Sequence, residues 1–278
     1  RYARADYDLI VVTSPPLFVG ITAVILSKLK RIPFVFEIRD LWPESAIDTG
    51  VLTNRLLIRL AYWFEGYVYQ QAACINVLTP AFRRALTEQK SIPPSKIIEI
   101  PNAADFALSE TLLHDFDVRA FRREVGFEGH FVITYVGAHG VANQLEQLLE
   151  AAARLQDTPV LFVLIGDGMR KPSLVAQAQA LGLTNVRFLD PVPKKEVFRY
   201  ILASDMGASV LKNVATFKTV YSNKTFDYFS CKKPVLMAID GVSRELVEKA
   251  EAGYFVIPES SDDWEAKVRF CLQHPELL

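Results

Sequence analysis

Cysteine is scarce in this chain, and its placement excludes two kinds of architecture. Cys74, Cys231 and Cys271 are odd in number and widely separated along 278 residues, which supports neither a disulfide framework nor a zinc cluster. A reducing, cytoplasmic setting is expected. An excess of either charge is missing too. The 31 Lys and Arg stand against 32 Asp and Glu, a formal net charge of −1, so no nucleic-acid partner is indicated. Apolar runs of membrane-spanning length are also lacking. The strongest, LFVGITAVILSKLK at Leu17–Lys30, continues for about 11 residues before Lys28, short of the ~20 that a crossing needs. It reads as a helix buried inside an α/β layer.

What the sequence does have is alternation. Apolar runs suited to strands occur at Leu9–Val12, Phe34–Glu37, Cys74–Leu78 and Ile97–Ile100. A second series follows at Val132–Val136, Val160–Ile165, Val186–Leu189, Met206–Val210, Val235–Ala238 and Tyr254–Ile257. Helical patterns separate them, which predicts parallel sheets covered on both faces. The second series fills a complete α/β domain. The first supplies only about four units, and the chain opens on Arg1 and enters a strand almost at once, so we expect it to begin partway into a domain. Between the series, Asn102–His130 breaks the alternation with mixed polarity and a short helix near Val118–Val125. It reads as a connection.

ITYVGAHGVANQLEQLLEAA, Ile133–Ala152, runs from a strand through Gly137 and Gly140 into a helix with Leu145, Leu148, Leu149, Ala152 and Leu155 on one face. Unpaired amides and the helix dipole are expected to converge near Ala142 and Asn143, a place for an anion. Neither G-x-G-x-x-G nor G-K-[ST] occurs in this loop, so dinucleotide and P-loop readings are not supported. A purely structural turn is the alternative.

Several segments then point the same way. VVTSPPLFVG, PFVFEIRDLWPES, VLTPAF, PNAADF, YVGAHGVANQLEQLLEAA, LIGDGMRK, VRFLDPVPKKEV and SNKTFDYFSCKKPVLMAIDG occur in the order and spacing seen in glycosyltransferase family 4. The sequence resembles its branch of bacterial surface-polysaccharide enzymes acting on amino- or deoxy-sugars, over nearly the whole chain. The resemblance implies an α/β, GT-B fold of two Rossmann-like domains with parallel sheets. An incomplete acceptor-side domain would occupy residues 1–105, a linker 106–128 and a nucleotide-sugar domain 129–278, with the opening βα units of the first domain absent. It further implies retaining transfer of a hexose or amino-deoxyhexose from a nucleotide-diphosphate sugar to a glycan or polyprenyl-diphosphate-linked acceptor. No metal or separate cofactor is implied.

A departing diphosphate needs cations or helix N-termini aimed at its oxygens. The resemblance assigns donor contacts to Gly137, His139, Gly140 and Val141 in the glycine loop, Gly168, Arg170 and Lys171 in GDGMRK, and Val192 in VRFLDPVPKKEV. Many relatives carry an Arg–Lys pair just after the first strand of this domain, and this chain does not. Arg170, Lys171, Lys212 and Lys224 are the substitutes. Lys224 is the first choice, because it falls in the opening turn of a helix, where a cation is unfavourable by ~0.3–1 kcal/mol unless an anion compensates. A solvated helix-start lysine is the alternative. Asp227 lies three residues on, on the same face, and by resemblance takes the ribose hydroxyls. The family's other Glu, eight positions earlier, is Thr219 here, and its role is not carried over.

In the first domain, Arg39 and Asp40 follow the strand Phe34–Glu37, at the sheet edge where open α/β sheets bind ligands. Asp40 is expected to accept from an acceptor hydroxyl and Arg39 to meet a phosphate; an Arg–Asp loop pairing under Trp42 is the equal alternative. Asn54–Ala72 places Leu56, Leu57, Leu60, Trp63, Phe64, Tyr67 and Val68 on one stripe, with Arg55 and Arg59 opposite. Such stripes ordinarily face a core. In a family with polyprenyl acceptors the Arg side also suits anionic lipid at the cytoplasmic face of the membrane, and the sequence does not separate the two. Two readings of other kinds stay open: a non-catalytic sugar-nucleotide or glycan-binding relative, and a GT-B epimerase.

Overall fold

The computed structural model describes residues 7–277. The expected mid-domain start concerns the chain end at Arg1, which lies outside them. The chain divides into two compact units, one running to Asn102 and including Val214–Tyr221, the other taking Ala103–Asn213 and everything from Ser222 onward.

The first unit is a four-stranded parallel sheet in sequential order, β1 (Ile10–Ser14), β2 (Phe34–Ile38), β3 (Cys74–Val77) and β4 (Ile97–Glu99). Its helices are α1 (Val19–Lys30), α2 (Glu44–Asp48), α3 (Arg55–Gln71) and α4 (Pro80–Arg84). Local chemistry fixes their starts. Asn54 caps α3 by accepting from the amides of Leu56 and Leu57 at 2.9 and 3.2 Å, and Thr79 caps α4 at Phe82 with Pro80 in the first turn. Phe34, Phe36, Ile38, Val68, Ile75 and Val77 form the core.

One expectation needs correction here. Leu17–Lys30 is not buried all round: α1 buries Gly20, Ala23 and Val24, while Ile21, Ile25 and Leu29 face out. The reason is position, since α1 lies beside α3 next to the edge strand β1, with no further layer over it among the described residues. The α3 stripe divides: Phe64, Tyr67 and Val68 pack on the core, and the rest faces out. Ala61, Glu65, Val68 and Tyr69 are its buried residues, while Leu56, Leu57, Leu60 and Trp63 are exposed.

The second unit is a six-stranded parallel sheet, β5 (Phe131–Val136), β6 (Val160–Ile165), β7 (Val186–Leu189), β8 (Met206–Val210), β9 (Val235–Ala238) and β10 (Gly253–Phe255). Its spatial order, β10-β9-β8-β5-β6-β7, is the doubly wound arrangement in which the order of strand addition reverses between the first strand and the fourth. The reversal lies between β5 and β8. Helices α7 (Glu146–Arg154), α8 (Lys171–Ala180), α9 (Lys194–Ala203), α10 (Asn223–Ser230), α11 (Val242–Lys249) and α12 (Ser261–Gln273) follow the strands. Residues 106–128, read above as a connection, carry two helices, α5 (Phe106–Asp115) and α6 (Val118–Glu124). Their Leu112 and Phe121 are buried in this unit's core, and Arg122 donates to the carbonyls of Ala203 and His130, both at 2.6 Å.

Candidate functional site

The site begins where β5 and β6 end. Past Val136 and Ile165 the two chains stay laced together: the Gly137 amide donates to Ile165 O at 3.0 Å, His139 N to Asp167 O at 2.8 Å and Arg170 N to His139 O at 2.9 Å. Only glycine allows this approach. A Cβ on Gly166 would lie 1.9 Å from Gly137 O, and one on Gly168 would lie 2.5 Å from His139 O, at φ of +149° and +156°. The result is a double glycine loop at the carboxyl edge of the sheet, beside the reversal point. After it the chain makes a 3₁₀ turn at Val141–Asn143, and α7 starts only at Glu146. The positive end of α7 therefore lies further along than Ala142 and Asn143, and Glu146 already occupies its first turn.

The opposite wall is α10, pinned by Tyr228. That ring is fully buried over Gly207, where a Cβ would meet it at 2.4 Å. Its hydroxyl accepts from Val136 N at 3.1 Å and lies 3.0 and 3.1 Å from the carbonyls of Thr134 and Ala208. Strands β5 and β8 pair only at Ile133↔Met206 and Thr134↔Gly207, so the phenol takes over where the ladder stops and the strands part. With Tyr228 fixed, the first turn of α10 is aimed at the glycine loop. Lys224 Cε lies 3.3 Å from where a Gly137 Cβ would be, and its Nζ is 5.0 Å from the Tyr135 ring centroid and 3.4 Å from Ser222 Oγ. Burial lowers its pKa to about 8, partly offset by Asp227. A part-buried ammonium with one long hydrogen bond among the described residues, against a glycine loop, is a place where an anion compensates.

Asp227 faces another lysine. Lys194 Nζ, at the start of α9, lies 3.6 Å from Asp227 Oδ1 and 3.6 Å from Asp105 Oδ2. Burial raises the Asp227 pKa, and Lys194 opposes it. Gly137 and Val192 line a common cavity of about 270 Å³ with Ala138, Gly166 and Asp167. Arg170 and Lys171 are otherwise engaged. Arg170 Nε donates to Glu146 at 3.2 Å. Lys171 Nζ binds Gly166 O, Leu189 O and Asp190 at 2.9, 3.1 and 2.7 Å, which braces the loop from behind. His139, in the glycine loop, points inward. Its ring is fully buried, 6.0 and 6.1 Å from the rings of Tyr135 and Phe188, and neither nitrogen has a partner among the described residues. Burial and then Lys171 lower its pKa, against Asp167, so the ring is neutral. Gly140 and Val141 continue the loop at its open side, where Val141 is exposed.

A larger hollow of about 690 Å³ lies between the C-terminal ends of α10 and α11, lined by Phe229, Lys233, Glu248 and Tyr254. It borders the amino-terminal ends of β9 and β10, and it contains neither the glycine loop nor Lys224. Size alone does not make it the site.

In the first unit, Arg39 is exposed and extends the β1–β2 ladder through its amide to Ser14 O at 3.0 Å. Asp40 turns away from it. Its carboxyl bonds to Ser45 and the Leu41 amide, its Oδ1 is buried without a partner, and burial raises its pKa to about 6 despite those bonds. Beside it, Glu37 on β2 accepts from Thr13 at 3.3 Å and Asn76 at 3.0 Å, a polar rung across three strands. Thr219 belongs to this unit, its carbonyl accepting from Thr79 Oγ1 at 2.7 Å.

Comparison with known families decides the affiliation. Residues 117–278 match the family "Glycosyl transferases group 1", and residues 1–103 match "Glycosyl transferase 4-like domain". The chain belongs to the group 1 glycosyl transferases. A putative colanic acid biosynthesis glycosyl transferase, WcaI of Escherichia coli K12, is 28% identical over 185 residues, covering 65% of this chain and 45% of that protein. The alpha-D-kanosaminyltransferase of Streptomyces kanamyceticus is 23% identical over 263 residues, covering 91% and 64%. The chain thus matches less than two thirds of the length of either relative. Among solved structures, Anabaena Alr3699/HepE in complex with UDP-glucose superposes with a TM-score of 0.79 at 21% identity, covering 98% of this chain and 70% of that one. WaaG, involved in lipopolysaccharide biosynthesis, gives 0.71 at 17% identity over 87% and 66%. The fold is accordingly GT-B.

Within this group 1 transferase, the sequence reading named Gly137, Lys224 and Asp227, and the structure brings the glycine loop and α10 together. Tyr135, Lys194 and Tyr228 went unnamed. Tyr228 sits in the NKTFDYF block, but its bond to a strand 92 residues away leaves no local trace.

Proposed function

We propose that this group 1 transferase moves a hexose or amino-deoxyhexose, with retention, from a nucleotide-diphosphate sugar to a glycan or polyprenyl-diphosphate-linked acceptor in surface-polysaccharide synthesis. The observation that carries the proposal is the part-buried Lys224 ammonium against Gly137, beside the reversal point of the sheet. Negative charge grows on the leaving diphosphate as the glycosidic bond breaks. A preorganised ammonium and the amides of the glycine loop stabilise that charge more in the transition state than in the ground state. Asp227 accepts from the ribose hydroxyls, held by Lys194, and the cavity at Val192 takes the base. In the first unit, the Asp40 carboxyl, part protonated near pH 6, accepts from the incoming hydroxyl. A uridine nucleotide is the first donor to try, because the Anabaena neighbour was solved with UDP-glucose.

A thermal-shift series with UDP-, GDP- and dTDP-sugars tests this. A ligand at 100 times its dissociation constant stabilises by ~2.7 kcal/mol, and the absence of any shift would overturn the proposal. A second reading, a sugar-nucleotide binder without turnover, is favoured by the engagement of Arg170 with Glu146 and Lys171 with Asp190. It predicts the same shift with neither donor hydrolysis nor transfer.

A further inference from the structure

Tyr135 is the penultimate residue of β5 and only 1% exposed, and it touches both halves of the anion site. The Lys224 ammonium lies over its ring, with Nζ 5.0 Å from the centroid. Its hydroxyl donates to Ala138 O at 2.8 Å, so the same side chain holds the start of the glycine loop. Gly137 stands between the two contacts. A Cβ there would lie 3.1 Å from Tyr135 Oη and 3.3 Å from Lys224 Cε, at a φ of +147°. Ring, loop and lysine therefore close on one another only across a glycine.

Little else holds the ammonium. Ser222 Oγ, 3.4 Å away, is its one hydrogen-bond acceptor among the described residues, and a bond of that length is weak. Asp227, on the same helix, raises its pKa, and Lys194 of α9 faces that carboxylate at 3.6 Å. A cation over an aromatic face is attracted by the ring quadrupole, more strongly where water is excluded. The ring is thus the main contact that fixes where the charge stands.

We propose that Tyr135 is the positioning residue of the anion site: its ring holds the Lys224 ammonium and its hydroxyl holds Ala138, which sets the spacing between the cation and the loop amides. This deepens the transfer reading and rests on it for the identity of the anion, the donor diphosphate. The test separates ring from hydroxyl in the unliganded 278-residue chain, isotope-labelled at lysine Cε for NMR titration, with the Lys224 resonance assigned by its loss in Lys224→Met. Tyr135→Phe keeps the ring, so the Lys224 midpoint should stay at the parent value. The Gly137 and His139 amides, bonded to Ile165 O and Asp167 O, should exchange faster in that variant. Tyr135→Leu removes the ring, and the midpoint should fall by about 0.4–1.5 pH units, the worth of a cation–π contact. A merely structural role predicts the opposite sign, because a smaller side chain admits water and raises the midpoint. Tyr135→Met is a second ringless variant, and circular dichroism checks that each is folded. An unchanged or raised midpoint in the ringless variants would overturn the proposal, as would unaltered exchange in Tyr135→Phe. Affinity for UDP-glucose, measured alongside, should fall roughly 2–10-fold in Tyr135→Phe, the worth of one hydrogen bond, and full affinity there would also count against it. A parent chain that binds no UDP-glucose would end the transfer reading alone, while midpoint and exchange still decide the role of Tyr135.

Discussion

A lysine held near a pKa of 8 is a sensitive residue for an anion site, because its charge is lost within the working range. In the unliganded protein Lys224 is protonated below about pH 8 and neutral above it. Affinity for a UDP-sugar, whose diphosphate diester keeps its charge over this range, should therefore be flat below that point and fall by up to about tenfold per pH unit above it, and Lys224→Met should remove that fall. Isothermal titration across the range checks this. Lys224 and Asp227 should also separate kinetically. Lys224→Ala is expected to lower kcat by roughly 10²-fold or more, the size of losing one preorganised donor to developing charge. Asp227→Ala should mainly raise the donor KM, by one or two charge-assisted hydrogen bonds of ~1.5–3 kcal/mol each. Unchanged kcat in a folded Lys224→Ala protein would end its assignment.

At the scale of elements, the glycine loops and helices decide where those side chains stand. Gly166→Ala forces a Cβ into Gly137 O and should cost at least ~2–3 kcal/mol, with loss of nucleotide binding. Gly182→Ala, at φ +62° but with nothing within 4 Å, should cost only ~1–2 kcal/mol and leave binding intact. Urea denaturation with nucleotide titration separates the two. Elements were the most legible part of the sequence. Val160–Ile165, Val186–Leu189, Met206–Val210 and Val235–Ala238 were read with the bounds the structure gives, since strands buried on both faces are continuous apolar runs. Helix Phe106–Asp115 was missed because its polar and apolar residues alternate without a clear stripe, and only the Asp105 cap, accepting from Leu108 N at 3.4 Å, marks its start. The outward faces of α1 and α3 were illegible for a different reason. Periodicity shows that a helix has an apolar side, while the neighbours that cover it, or do not, are set by topology. The site was half legible. Gly137, Lys224 and Asp227 sit in recognisable segments, whereas the engagement of Arg170 and Lys171 with Glu146 and Asp190 depends on contacts no spacing predicts.

At the scale of the whole molecule, the two units should differ in what they keep when separated. A fragment from Ala103 onward retains Leu112, Phe121 and the bonds of Arg122, and should fold and bind UDP with an affinity near that of the full chain. A fragment from Gly126 loses both buried side chains, at ~2–5 kcal/mol each, and should show a much lower urea midpoint. The first unit has its own signature. Glu65, buried beside Lys90 at 2.6 Å and beside Glu44, has its pKa raised from 4.5 to about 7, chiefly by burial. A raised carboxylate contributes stability that is fully present below its unfolded value and lost as pH rises through its folded value. Melting of the first unit should therefore fall between about pH 4.5 and about pH 7 through this group, and Glu65→Gln should flatten that limb in calorimetry.

The phenol of Tyr228 has a mechanical consequence as well. Past Thr134↔Gly207 the adjacent strands β5 and β8 no longer pair, and one phenol lying over Gly207 bridges them there through an oxygen that meets the Val136 amide and the carbonyls of Thr134 and Ala208. The strands at the crevice are thus tied by hydrogen bonds to a single side chain rather than by their own ladder. Tyr228→Phe keeps the length and removes the anchor. The Val136 amide then becomes a gauge: its hydrogen exchange should be slow in the parent protein and the first to quicken in the variant, before any global loss of structure.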